Sequence, residues 1–288
     1  MIEVAIPAKD RLYLSASLFE VENPKAVVQM IHGAKEHKER YTEFISWLNA
    51  NGLNVVITDN RGHGKSINDK YPLGYMENFE ELVEDQHTVT DFIKNKYPNL
   101  DVYMFGHSFG SMIARIYLEK YDTEIKKLVL SGTANFDKNV SAGLTIGKGI
   151  IAVGGKKKYS DLLHSFAHFD KDDWVVSNPE VMEAYRNDSL CNYKYMNQAI
   201  MTILNADKEL HNFKNFACQN PDLPILSISG ALDPITGGEE GLKDSIDSLQ
   251  KVGYKNIQNI VYSNMKHEVL NEYDKEKVYI DILKFYLS

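Results

Sequence analysis

The residues best placed to do chemistry stand in Gly106-His107-Ser108-Phe109-Gly110, where glycines flank a serine two positions away on each side. A serine hydroxyl is a weak nucleophile at neutral pH. It needs a base to take its proton and a carboxylate to hold that base in the right tautomer. The motif closes an apolar run, Asp101 to Phe105, and opens a helix-like one from Ile113 to Leu118. That is the sharp strand-to-helix turn on which a nucleophile is exposed. A serine there is expected in a strained backbone conformation, and side chains at 106 and 110 would collide with the neighbouring strand and helix.

The partners are expected downstream in the order serine, acid, histidine. Asp233 follows the apolar run Pro224 to Ser229, and His267 follows the run Asn256 to Val261, so both lie just past the C-terminal ends of strand candidates. Asp222 precedes its strand, Asp244 and Asp247 fall within a helical pattern, and His211 follows no strand. Ser108, Asp233 and His267 are therefore the candidate catalytic residues. The oxyanion of an acyl-transfer reaction needs N–H donors, one from the residue after the nucleophile and one from the loop after an earlier strand. Phe109 supplies the first. The turn Ile31-His32-Gly33-Ala34-Lys35 supplies the second through Ala34, with Gly33 permitting the tight turn.

These loops need a sheet to carry them. Short β-branched runs at Ala26–Ile31, Asn54–Thr58, Asp101–Phe105, Lys127–Leu130, Pro224–Ser229 and Asn256–Val261 alternate with helical patterns, as βαβ units do. Ile2–Ile6 and Leu12–Phe19 read as a hairpin, which brings the strands to eight. Helices are expected near 40–50, 77–96, 109–120, 238–251 and 274–287; in the last, Val278, Ile282 and Phe285 share one face. Between Thr133 and Phe216 no strand pattern occurs, and helical stretches include Val181–Tyr185 and Tyr195–Leu204. The expected architecture is α/β: a mostly parallel eight-stranded sheet flanked by helices, formed by residues 1–132 and 217–288, with residues 133–216 inserted as a helical cap.

Composition narrows the partners. A formal charge of −8 and a single short basic run, Lys156–Lys158, argue against a nucleic-acid surface. Two cysteines, Cys191 and Cys218, allow at most one bridge, so a reducing, cytoplasmic setting is expected. The run Gly143 to Gly155 contains a lysine and falls short of the roughly 20 apolar residues of a membrane span. Within it Leu144, Ile146, Ile150, Ile151 and Val153 either line a lipid entrance, with transient contact to a membrane surface, or pack as core. Gly64-Lys65-Ser66 lacks the earlier glycine of a phosphate loop, His164 and His168 lack a third metal ligand, and asparagine replaces the second histidine of HExxH after His267. No metal or cofactor is expected.

Three blocks carry a resemblance through nearly the whole chain: His32-Gly-Ala-Lys-Glu36-His37-Lys-Glu-Arg40-Tyr41, Asp59-Asn-Arg61-Gly-His63-Gly-Lys-Ser66 and Gly106-His-Ser-Phe-Gly110. With the loops of Asp233 and His267 they are similar to the α/β-hydrolases of the monoacylglycerol lipase and bacterial lysophospholipase-like group. The segment Asp173-Trp174, Asn178 to Tyr185 and Asp188 to Cys191 also resembles bacterial members, although Ser177-Asn178 stands where they often have Arg-Asp. The resemblance implies an α/β-hydrolase fold, the triad Ser108, Asp233 and His267, and an oxyanion hole at Ala34 and Phe109. It gives Glu36, His37, Arg40 and Tyr41 a structural, pocket-shaping role, with Arg61 and His63 bracing their loop. The implied activity is hydrolysis of a small ester or lipid of the monoacylglycerol or lysophospholipid type through an acyl-enzyme. A serine aminopeptidase or thioesterase is an alternative, the former needing Asp170, Asp172, Asp173 or Glu180 to hold an amine. A catalytically silent binding protein is another. Oligomeric state is not legible.

Overall fold

The computed structural model describes residues 1–167 and 171–288. Eight strands, β1 Ile2–Pro7, β2 Tyr13–Phe19, β3 Ala26–Ile31, β4 Leu53–Thr58, β5 Val102–His107, β6 Lys127–Ser131, β7 Ile225–Gly230 and β8 Ile257–Tyr262, form one sheet in the order β1-β2-β4-β3-β5-β6-β7-β8. β1, β2 and β4 pair antiparallel, and every pairing from β4 through β3 to β8 is parallel. The β-branched runs earn this central position, since β3, β4 and β7 are buried along their whole length. Ile31 is in register with Gly106, His107 with Ser131, and Gly230 with Tyr262. The C-terminal ends of β3, β5, β6, β7 and β8 therefore share one edge.

The helices are α1 Thr42–Ala50, α2 Phe79–Lys96, α3 Phe109–Tyr121, α4 Val140–Gly154, α5 Asp161–Phe166, α6 Pro179–Asn187, α7 Asn197–Glu209, α8 Gly238–Val252 and α9 Lys275–Leu287. Along β3, Val27 and Ile31 join one apolar cluster with Val89 of α2, Ile113 of α3 and Ile200 of α7. Val28 and Met30 join a second with Phe44 of α1 and Ile282 of α9. The two-residue alternation of the strand thus sends its side chains to two layers of helix. Val278, Ile282 and Phe285 are all buried, as their spacing predicts.

Between β6 and β7 the regular elements among the described residues are all helices, with no strand. In α4 the apolar run divides: Leu144 is buried, Ile150 and Ile151 pack against the first cluster, and Ile146 and Val153 are exposed. Among the described residues no helix is long and apolar enough to cross a membrane. Cys191 and Cys218 are unbridged.

Candidate active site

Ser108 directly follows β5 with φ 53° and ψ −122°, a conformation a non-glycine residue keeps only when its surroundings over-determine it. Here the Ser108 N–H donates to the Ser131 carbonyl at 2.8 Å, while its own carbonyl accepts from the Ser111 N–H at 2.8 Å and the Ser111 hydroxyl at 2.6 Å. A Cβ on Gly106 would lie 2.6 Å from the Gly110 carbonyl oxygen, and one on Gly110 would lie 2.3 Å from that of Ile31. The flanking glycines are required by close approach, as the motif suggests.

Asp233 and His267 occupy the loops after β7 and β8, and both are buried. The His267 Nδ1–H donates to Asp233 Oδ2 at 2.7 Å, and Asp233 Oδ1 accepts from the Ile235 N–H at 2.9 Å. Burial by itself would lower the imidazole pKa; the Asp233 carboxylate, with Glu268 and Glu36 behind it, outweighs burial and holds it above the ordinary 6.5. With Nδ1 protonated toward Asp233, Nε2 carries the lone pair of the neutral ring. That atom is buried and has no hydrogen-bond partner among the described residues. Asp244 and Asp247 lie in α8, and His211 packs against Phe136 and Phe213.

The turn after β3 differs from expectation in one respect. Its left-handed residue is Lys35, at φ 55°, rather than Gly33. Gly33 is small because a Cβ there would stand 2.9 Å from the Cβ of Ser108. The Gly33 N–H donates to Glu36 Oε1 and the Lys35 N–H to the Tyr195 hydroxyl at 2.8 Å. The Ala34 N–H between them has no acceptor among the described residues. Phe109 opens α3, so its N–H also lacks an intrahelical partner.

A polar framework fixes these loops. Glu36 accepts from the Tyr41 hydroxyl at 2.8 Å and from Arg40 at 2.9 Å, and Arg40 grips Glu268 at 2.6 and 2.8 Å. The turn holding Ala34 is thereby tied to the residue after His267. Burial would raise the Glu268 carboxyl, but Arg40 overcomes it and holds the group well below the usual range. His32 donates from Nδ1 to the Gly33 carbonyl and accepts the Asn60 N–H at Nε2, both at 2.8 Å. Arg61 pairs with Asp85 at 2.7 Å and Asp10 at 2.7 Å, bracing its loop as expected.

His63 does more than brace. Its Nδ1 donates to the Arg61 carbonyl at 3.0 Å, so Nε2 accepts the Tyr195 O–H at 2.6 Å, and that same hydroxyl receives the Lys35 N–H. Burial depresses His63 to about 3, which keeps Nε2 an acceptor. Sequence reading gives no individual site role to Tyr195, Trp174 or His107. The Trp174 ring packs edge-on to His267 with centroids 4.9 Å apart. Its carbonyl accepts the His267 N–H at 3.4 Å, the Val175 carbonyl accepts the Glu268 N–H at 2.8 Å, and Glu272 accepts the N–H groups of Ser177 and Lys266, each at 2.9 Å. The His107 ring lies 4.8 Å from His267, and burial depresses it to about 4. A ring kept neutral does not repel a protonated His267.

Two cavities meet at Ser108 and Ala34. One, of about 250 Å³, is lined by Phe109, Met112, Phe166, Ile203, Leu204 and Ile235, with Asp207 also on its wall. The other, of about 400 Å³, is polar and is lined by His267, Lys35, Asp172, Tyr185, Arg186 and Lys194 among others. None of the five apolar residues of α4 lines either cavity. The His164 Nε2–H donates to the Tyr195 carbonyl at 2.8 Å. His168 and Asp170 lie outside the described residues.

Known proteins resemble the chain in sequence and in fold. The monoacylglycerol lipase of Mycolicibacterium smegmatis is 28% identical over 267 residues, spanning 92% of this chain and 89% of that one. The phospholipase YtpA of Bacillus subtilis is 24% identical, over 91% of this chain and 95% of that one. A thermostable carboxyl esterase from Bacillus coagulans, solved in complex with glycerol, superposes with a TM-score of 0.88 at 26% identity, covering 99% of this chain and 97% of that one. Residues 22–274 match the family model described as serine aminopeptidase, S33. The chain belongs to that family, and it is a lipase-like serine hydrolase of the α/β-hydrolase fold.

Proposed function

We propose that the protein cleaves carboxylic esters of the monoacylglycerol or lysophospholipid type through an acyl-enzyme formed on Ser108. The observation that carries this reading is the convergence of Ser108, Ala34 and His267 on one cavity, with Asp233 2.7 Å behind His267. The Ser108 Oγ attacks the ester carbonyl carbon as its proton passes to His267 Nε2, and Asp233 stabilises the imidazolium. The carbonyl oxygen, now an anion, is held by the N–H groups of Ala34 and Phe109. Collapse breaks the bond to the alcohol oxygen, which leaves with the proton from His267. Water then repeats the sequence on the acyl-enzyme and releases the carboxylic acid.

The apolar cavity suits the acyl chain and the polar cavity the alcohol. Residues 133–216 are in this reading a cap: Phe166, Ile203 and Leu204 supply the acyl wall, and Asp172, Arg186 and Lys194 the alcohol side. Of the described acids that an aminopeptidase would use to hold an amine, Asp172 is held by Arg186 at 2.9 and 2.7 Å, and neither Asp173 nor Glu180 lines the cavity. Turnover of octanoyl esters by wild type and Ser108→Ala, with mass detection of a fluorophosphonate adduct on Ser108, tests the proposal. Equal turnover by the variant refutes it.

A further inference from the structure

This inference rests on the esterase reading and names the alcohol the site favours. Lys35 lines the polar cavity beside Ala34, and its backbone is left-handed, where glycine sits without strain. The bond from its N–H to Tyr195 fixes that conformation and with it the origin of the side chain. Among the described residues three acids line the cavity, and each is already engaged by an arginine: Glu36 and Glu268 by Arg40, and Asp172 by Arg186. Lys194 is paired with Asp161 at 2.8 Å. Lys35 is partly buried, and among the described residues no carboxylate reaches its ammonium within salt-bridge distance.

A half-buried cation without a counter-ion is held at a cost that an arriving anion relieves through charge-assisted hydrogen bonds. We propose that Lys35 selects esters whose leaving alcohol carries a phosphate group, with the phosphate oxygens meeting its ammonium while the acyl chain fills the apolar cavity. Burial draws the Lys35 ammonium downward and Asp172 acts against it from beyond contact, in keeping with a cation that lacks a close partner.

The test compares 1-octanoylglycerol with 1-octanoylglycerol 3-phosphate, both below their micellar concentrations, for wild type, Lys35→Met and Lys35→Arg. The quantity read is the ratio of kcat/KM for the phosphate ester to that for the neutral one. Taken on one preparation, this ratio is insensitive to the fraction of a variant that folds. The ratio is expected to exceed unity in wild type, to fall about 10- to 100-fold in Lys35→Met as one charged hydrogen bond is lost, and to survive in part in Lys35→Arg. A wild-type ratio at or below unity overturns the inference, and so does a ratio that Lys35→Met leaves unchanged. In either case, ester turnover that vanishes with Ser108→Ala leaves the esterase reading standing. Turnover that persists in Ser108→Ala overturns that reading instead.

Discussion

His267 Nδ1 lies 2.7 Å from Asp233 Oδ2, and the opposite ring nitrogen, Nε2, is buried without a partner among the described residues. One side of the imidazole is saturated and the other is open to Ser108 chemistry. Because Asp233 raises the His267 pKa, the neutral base disappears below a pH higher than usual. The acid limb of kcat/KM is expected to have its midpoint above about 6.5. Asp233→Asn should cut kcat by about 10⁴-fold and move the limb of the residual activity to lower pH. A pH–rate profile of both proteins reads this, and an unshifted limb would count against the pairing.

Tyr195→Phe removes both the acceptor of the Lys35 N–H and the donor to His63 Nε2. The loop presenting Ala34 then loses an anchor one residue from its N–H. Losing an oxyanion donor outright costs about 100- to 1000-fold, so a loosened one is expected to lower kcat by about 10-fold with KM little changed. Steady-state kinetics on a p-nitrophenyl ester separates the two constants; a change confined to KM would rule the positioning role out.

Ile203 stands on the wall of the apolar cavity. Ile203→Trp should shorten the acyl chain accepted: octanoyl esters lose about 10-fold or more in kcat/KM while acetyl esters lose little, since overpacking affects only the substrate that needs the volume. A uniform loss across chain lengths would place the acyl group elsewhere.

Burial pushes the Asp207 carboxyl up to about 7, and its Oδ1 has no partner among the described residues. Between about pH 4 and 7 the folded chain keeps a proton that the unfolded chain releases, so this group's contribution to stability falls as pH rises and levels off above 7. Asp207→Asn escapes that loss. Relative to wild type it is expected to gain about 1–3 kcal/mol between about pH 5 and pH 8 in urea unfolding. An equal difference at both values would refute the assignment.

Local pattern made much of this legible. The runs that became β3, β4 and β7 are buried on both faces, and a continuous apolar stretch announces that directly. Ser108 is marked by glycines that its neighbours leave no room to replace, and Asp233 and His267 by loops that follow strands. What stayed hidden joins residues far apart in the chain. Arg40 and Glu268 are 228 positions apart, and Lys35 and Tyr195 are 160 apart, and neither pair leaves a periodic trace. The left-handed turn was hidden for the opposite reason, because glycine is the local signal for it and a lysine stands there. In α4, Leu144 and Val153 belong to one apolar run yet end in core and in solvent, since composition does not say which helix face meets a partner.

The backbone of residues 174–177 is laced to residues 266–272 by three N–H donors, those of His267, Glu268 and Ser177. If residues 133–216 form the proposed cap, specificity and proton transfer share one piece of architecture, and that segment is not a detachable module. Grafting residues 133–216 from a related chain transfers substrate preference only when the graft brings its own match for the 266–272 loop; otherwise it arrives with a misaligned base.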